Sequence, residues 1–495
     1  MGSASTLCSI SKLNVHRDNV VFLPKTRSST SAYQSGFLGS KLPGKLSLLS
    51  IQKYPRNRTG PFARPGSNPI SASHHTFDVV IIGAGIIGLT VARQLLIGSD
   101  LSVAVVDKDV PCSGATGAGQ GYLWMVNKTP GSDTWDLAMR SHRLWVMLAE
   151  SMREQGLDPL QHLGWKNTGS LLIGTSSDEL DSLKRRVTLL QDAGLRAEYL
   201  SGGDLLLEEP DLLVDKDGGA AFVPGDCQLD AQRASAFFQK VNRHFSSEGR
   251  YAEFFYDPVT SLLRSDSSGD VIAVKTSNNT LYSRKAIVVA AGCWSGSLMH
   301  DLFRESEIVL DVPVKPRKGH LLVLENFDSL KVNHGLMEAG YVNHQIATPL
   351  PGISASEAYD HGQTLSISMT ATMDSMGNFV LGSSRQFAGF STEVEESIVN
   401  GIWNRAMDFF PKLRERPLSD FIKSRRVRTG LRPYMPDGKP VIGPVPGLPN
   451  VFLATGHEGF GLAMALGTAE MVAHMVLGNS ENVDSASFAV QGRCC

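Results

Sequence analysis

The chain has 495 residues, 42% of them hydrophobic and 19% charged, with a formal net charge of −2. This length allows more than one buried core, and the near-neutral total hides a split: residues 1–75 carry ten Lys and Arg and a single acid, Asp18, leaving 37 basic and 48 acidic residues in the body. A body that acidic argues against nucleic-acid binding through phosphate neutralisation, and its most apolar stretch, 79–97, is broken by glycines and Arg93, so no transmembrane helix is predicted.

Residues 1–75 are rich in Ser, basic and almost free of acids, and Lys12, Arg17, Lys25 and Arg27 interrupt any apolar core of signal-peptide length. This composition fits a disordered organelle transit peptide, and its Ser content favours the plastid (chloroplast) over the mitochondrion; a disordered tail without a role is the plainer alternative. Met1 to Thr6 also matches a myristoylation pattern, a short match of little weight. The six cysteines (Cys8, Cys112, Cys227, Cys293, Cys494 and Cys495) show neither zinc-type spacing nor a disulfide framework.

Residues 77–82 read as a buried parallel strand, and Gly83-Ala84-Gly85-Ile86-Ile87-Gly88 as a glycine turn opening a helix. Gly83 permits the tight turn, Gly85 lets backbone approach a pyrophosphate, and Gly88 lets the helix lie close to the strand; the helix N-terminus offers its unpaired N–H groups and positive dipole end to that pyrophosphate. The next strand, 101–106, ends at Asp107 and Lys108, where an acid binds the adenosine ribose hydroxyls. The small residues of 112–121, with Ala115, Thr116, Gly119, Gln120 and Gly121, suit backbone amides wrapped around a phosphate and ribityl chain; a flexible loop is the alternative.

A helix is expected from about 134 to 155. Residues 161–217 read as a first pass through a second domain, with a strand at 169–174 and helical spacing near 178–194. A strand and turn at 218–225, a helix from Asp230 to about Phe245 and a hairpin around Asn278 and Asn279 follow. The buried strand 286–291 ends at Gly292, beside which backbone passes close to a ligand, with Ala291 and Trp294 adjoining. Strands within 310–325 and 364–382 supply the second domain's sheet, and 341–363 reads as a loop over a pocket. Segment 430–443 leads to a strand at 451–455, after which Gly456-His457-Glu458-Gly459-Phe460-Gly461 opens an apolar helix. Its N-terminus is a second anion site, suited to the pyrimidine end of a reduced flavin. His457 reads more readily as a packed histidine than as a flavin contact or general base, Cys293 as a core thiol and Trp294 as packing. The expected fold is α/β: a doubly wound, Rossmann-type, glutathione-reductase-like domain (76–160, 218–300 and 425–480) interleaved with a substrate domain on a mixed or antiparallel sheet (161–217 and 301–424), then a loose tail, 481–495.

In this order the motifs at 83–88, Asp107, 114–121, 288–294, 430–443 and 456–461 resemble the D-amino-acid-oxidase-like family of FAD-dependent oxidoreductases, which includes glycine oxidase, sarcosine oxidase and D-amino-acid dehydrogenase. Residues 457–459 and Gly382-Ser383-Ser384-Arg385-Gln386-Phe387 look most like the catalytic subunits of bacterial amino-acid and opine dehydrogenases. The resemblance implies an FAD flavoprotein that oxidises the carbon–nitrogen bond of an amino acid or related secondary amine to an imine, with oxygen or an electron-acceptor partner as the final oxidant. It places Arg432 on the substrate carboxylate, a role that suits a planar, bidentate guanidinium. Glycine oxidase has a second arginine soon after its Gly-His pair; 458–461 supply none, which argues against that activity. No cysteine among 426–434 matches the flavin tether of sarcosine oxidase, so FAD is expected to be bound without a covalent link. A dehydrogenase subunit of a larger complex and an assembly factor with little catalysis are the alternatives.

Overall fold

Two short runs of buried apolar residues, Val79 to Ile82 and Val103 to Val106, lie side by side within the first sheet. The computed structural model describes residues 73–494 apart from 216, 266, 268, 304–309 and 344–364, within a compact unit spanning Gly36–Cys495. All but the last three residues of the expected transit peptide, and nearly all of the expected loop at 341–363, lie outside the described residues.

In the first sheet β1 (Ser73–Ile82) lies parallel between β2 (Val103–Val106) and β11 (Asn279–Val289). β18 (Leu448–Thr455) pairs parallel with β11 and β17 (Val441–Val445) antiparallel with β18, while β8 (Tyr251–Phe254) extends the other edge from β2. Central strands covered on both faces need no alternation, which is why Val79 to Ile82 and Val103 to Val106 are apolar without a break. The helix Ile86–Gly98 is buried almost all round, because the helices Ala231–His244 and Gly461–Leu477 lie against it. Asn242 Nδ2 donates to the Leu89 carbonyl at 3.0 Å and Thr90 Oγ1 to that of Ala465 at 3.3 Å, tying three distant segments together. The stretch Glu458–Leu477 is long and apolar enough to cross a membrane by composition, but 67% of it is buried inside the protein, as befits a core helix.

The expected hairpin is present as β9 (Val259–Arg264), β10 (Val271–Thr276) and β11, and β11 runs on without interruption into the buried parallel strand. Asp257 fixes the β10–β11 turn by accepting from Thr276 Oγ1, the Asn278 backbone and side-chain amides, and Asn279 Nδ2, at 2.6 to 3.0 Å.

The second sheet runs in the order β16 (Arg425–Tyr434), β12 (Lys315–Leu324), β15 (Phe379–Arg385), β14 (Ser366–Met373), β13 (Gly335–Glu338), β4 (Ser170–Gly174), β6 (Gly219–Val223) and β5 (Glu198–Ser201). Only β13 and β4 pair parallel, so the sheet is mixed and mostly antiparallel. Its own core gathers Leu322, Leu324, Phe379 and Leu381 against Trp403 and Phe409 of the helix Glu396–Phe409. A two-stranded ribbon of β3 (Tyr122–Leu123) and β7 (Cys227–Gln228) stands apart from both sheets. β6 and β16 belong to the second sheet although 218–300 and 425–480 were expected in the dinucleotide part: their backbones pair with β4 and β12. The tail is not loose through residue 494. Phe488, Val490 and Cys494 are buried, and Arg493 forks onto Asp437 at 2.8 and 3.0 Å.

Candidate active site

The glycine turn has the conformation that its sequence demands. Gly83 has φ +113°, and a Cβ there would lie 2.4 Å from the Ala290 carbonyl oxygen. A Cβ on Gly88 would come within 2.0 Å of the Gly83 oxygen, so bare backbone lets the helix start against the turn. Gly85 caps the helix, and a side chain there would meet Thr116 Oγ1 at 3.3 Å, where Thr116 also accepts from the Ile86 amide at 3.2 Å. Asp107 accepts from the Ala84 amide at 2.7 Å and the Asp109 amide at 3.0 Å; burial raises its carboxyl, and these hydrogen bonds counter part of the rise. Lys108 Nζ sits 3.8 Å over the Trp294 ring, whose other neighbour is Phe390 at 5.9 Å.

One cavity joins these residues to the second sheet. From the dinucleotide side it is lined by Gly83, Gly85, Ile86, Ile87, Asp107 and Lys108, by Ala115, Thr116, Gly119, Gln120 and Gly121, and by Ala291, Gly292 and Trp294. From the helix start at 461 come His457, Glu458, Gly459 and Gly461, and from the second sheet Gly319, Ser383 and Arg432, with Tyr341 beside them. Gln120 bridges the two sides: its Oε1 accepts from Thr370 Oγ1 of β14 at 2.9 Å.

Four predicted residues do not line this cavity. Ala84 is fully buried and its amide serves Asp107, and Gly88 is closed off under Gly83. Gly456, at φ +80°, is backed against the Met435 side chain, where a Cβ would lie 2.4 Å from Cγ. The ring of Phe460 is capped by Lys128, whose ammonium lies 2.7 Å from the ring centroid. His457 lines the cavity but is 3% exposed and bonded through Nε2 to Thr468 Oγ1 at 2.9 Å; burial pushes its pKa down to about 3, so the imidazole stays neutral. Burial also pushes the thiols of Cys112 and Cys293 up to about 11 and about 12, which keeps both out of the thiolate form.

Arg432 lies over Gly319 of the neighbouring strand: a Cβ on that glycine would be 2.3 Å from Arg432 Nη1. Nη1 donates to the Ser384 carbonyl at 3.0 Å, and among the described residues no other hydrogen bond holds the guanidinium. Glu458 has φ +48° and its carboxylate meets Arg317 Nη1 at 3.3 Å. Burial raises the Glu458 carboxyl, but Arg432, Arg317 and Arg385 together outweigh it and hold the group below the usual range. The Tyr341 phenol behaves alike: burial raises it, and the cations of Arg385 and Arg432 bring it below its ordinary value. Sequence reasoning missed Arg317, Gly319 and Tyr341, and quoted Arg385 only as part of a motif. A signal was present, since 315–320 places three basic residues in a strand that is apolar immediately afterwards.

A glycine turn at the end of a parallel strand, an acid closing the next strand, and a cavity shared with a mostly antiparallel second sheet define a dinucleotide-dependent enzyme of the two-sheet flavoprotein type. The chain belongs to the FAD-dependent oxidoreductase family, whose model matches residues 78–475. Among its relatives are the glycine oxidases of Geobacillus kaustophilus, 26% identical over 84% of this chain and 97% of the relative, and of Pseudomonas aeruginosa, 25% identical over 84% and 99%. The crystal structure of the Geobacillus kaustophilus enzyme superposes with a TM-score of 0.68 at 24% identity, covering 84% of this chain and 99% of that one. The L-proline dehydrogenase of P. horikoshii superposes with a TM-score of 0.67 at 18% identity, covering 84% and 97%, a likeness of fold.

The residues present fit FAD. Bare backbone at Gly85, where the helix Ile86–Gly98 starts, would leave room for a pyrophosphate, Asp107 at the end of β2 lines the same cavity and would take the ribose hydroxyls, and the helix Gly461–Leu477 starts at the wall of that cavity. The enzyme is an FAD-dependent oxidoreductase.

Proposed function

We propose that the enzyme oxidises the carbon–nitrogen bond of an amino acid or a related secondary amine to an imine, which water hydrolyses. The observation that carries this reading is Arg432, a guanidinium with one anchored nitrogen and its other donors unclaimed by the described residues, in the same cavity as the dinucleotide turn. A substrate carboxylate bound by that fork fixes the neighbouring carbon, and orientation of this kind supplies much of a barrier's reduction. Bound FAD supplies the acceptor for the two electrons and the hydrogen that leave the carbon, while the nitrogen gives up a proton. His457, neutral and bonded to Thr468, packs the helix start and carries no charge into the site. The glycine oxidases among the relatives support an amino-acid substrate; the absence of arginine in 458–461 favours one other than glycine.

The test is anaerobic reduction of the FAD-loaded protein by amino acids. Arg432→Met is expected to keep FAD and fold, and to lower kcat/KM by roughly ten- to a hundredfold, the equivalent of one charge-assisted hydrogen-bonded pair. Unchanged kinetics would remove Arg432 from the site. Reoxidation of the reduced protein by air, compared with an artificial electron acceptor, separates an oxidase from a dehydrogenase subunit; no reduction by any amine favours the assembly-factor reading. We further propose that residues 1–75 direct the chain to plastids. A reporter fused to them should enter plastids, and uptake by mitochondria or retention in the cytosol would refute that location.

A further inference from the structure

Three guanidinium groups stand on adjacent strands of the second sheet. Arg432 on β16 is the register partner of Arg317 on β12, and β15, on the other side of β12, ends at Arg385. Like charges directly opposite in an antiparallel pair destabilise a sheet, so folding alone gives no reason for this arrangement. Gly319, two residues along β12 from Arg317 and on the same face, is bare and provides the space that the Arg432 guanidinium fills.

The described residues give this cluster a single carboxylate, Glu458, which sits 3.3 Å from Arg317. Arg385 has no carboxylate partner among them. Its guanidinium lies 3.8 Å over the Tyr341 ring, Nη2 donates to the Tyr341 carbonyl at 3.5 Å, and Nε, in a side chain 2% exposed overall, has no partner. Tyr341, Ser383 and Arg432 bring the cluster to the cavity wall. Among the described residues, three cations against one anion leave two positive charges uncompensated where burial makes unpaired charge costly. A substrate with one carboxylate and a neutral amine balances only one of them.

We propose that the substrate is an amine bearing two carboxylates, an amino- or iminodicarboxylate, one carboxylate held by Arg432 and the other by Arg385 and Arg317. This deepens the amine-oxidation reading and takes its reaction from it. The second carboxylate brings the cluster to neutrality and selects against substrates that lack it.

Two titrations of the FAD-loaded protein separate the inference from the reaction. In the first, succinate and glutarate are compared with propionate and butyrate as non-reacting ligands, read by the shift they cause in flavin absorbance. The dicarboxylates should bind about tenfold or more tightly, and Arg385→Met or Arg317→Met should remove most of that advantage. Because Arg385 is buried, Arg385→Lys serves beside the Met variant: it keeps the charge and should keep part of the preference. In the second, anaerobic reduction by D-aspartate, D-glutamate and iminodiacetate should exceed that by glycine, D-alanine and N-methylglycine, again by about tenfold or more in kcat/KM. Equal binding of succinate and butyrate overturns the dicarboxylate inference, while reduction by monocarboxylate amines leaves the amine-oxidation reading intact. Preferential succinate binding with no reduction by any amine overturns the reaction and supports the two-carboxylate site.

Discussion

Arg432 can reach the cavity only because its neighbour has no side chain. Gly319 carries no positive φ and no turn, so nothing in its local sequence marks it as special; its role is to be thin where a guanidinium crosses β12. Gly319→Ala tests this directly. A methyl group would sit 2.3 Å from Arg432 Nη1 and 2.6 Å from its Cζ, so the guanidinium must shift. The expected result is a protein that retains FAD, since the dinucleotide turn is untouched, but loses about tenfold or more in kcat/KM for the carboxylate substrate. Retained kinetics would show that the guanidinium has room to move without consequence. His457 makes the complementary point. A histidine beside a glycine turn in a cofactor cavity invites a catalytic role, yet its single bond to Thr468 and its burial leave it a neutral packing group.

At the scale of elements, the helix Gly461–Leu477 depends on more than its apolar faces. Glu470 is 3% exposed, and Arg140 of the helix Trp135–Glu154 forks onto it with bonds of 2.7 and 2.6 Å. Trp145 of the same helix donates to the Leu462 carbonyl at 3.0 Å. Removing one partner of a buried pair strands the other charge. Arg140→Met should therefore destabilise the protein by about 3 kcal/mol, at the low end of such losses because Arg140 is partly exposed. The readout is the thermal midpoint of the FAD-loaded protein, and a shift within error of zero would mean that water replaces the arginine. The elements also show why domain boundaries were harder to read than strands. Local pattern located β6, as the strand and turn at 218–225, but not β16, whose run of arginines carries no strand signal; which sheet either joins is decided by backbone partners far along the chain, β4 and β12.

For the whole molecule, the central expectation is a yellow protein from which acid precipitation releases FAD into solution, because the Cys112 and Cys293 thiols at the cavity are held protonated. Flavin left in the protein pellet would contradict the non-covalent assignment. The dinucleotide half was legible because its features are consecutive in the chain. Gly83, Gly85 and Gly88 act within six residues, Asp107 follows one strand later, and each requirement — a positive φ, a bare approach, an acid at a strand end — is met by a residue type that few others replace. The sequence by itself therefore determined the strands at 77–82, 101–106, 286–291 and 451–455 of the first sheet, the turn and the helix start at 461. It did not show that Arg317, Arg385 and Arg432, more than a hundred residues apart at the extremes, share one face around Gly319 with Glu458 from the other half. That convergence was decided by the tertiary structure alone. Strand register in an antiparallel sheet is set by which faces are buried along every strand at once, and an arginine reads the same in sequence whether it faces solvent or a cavity.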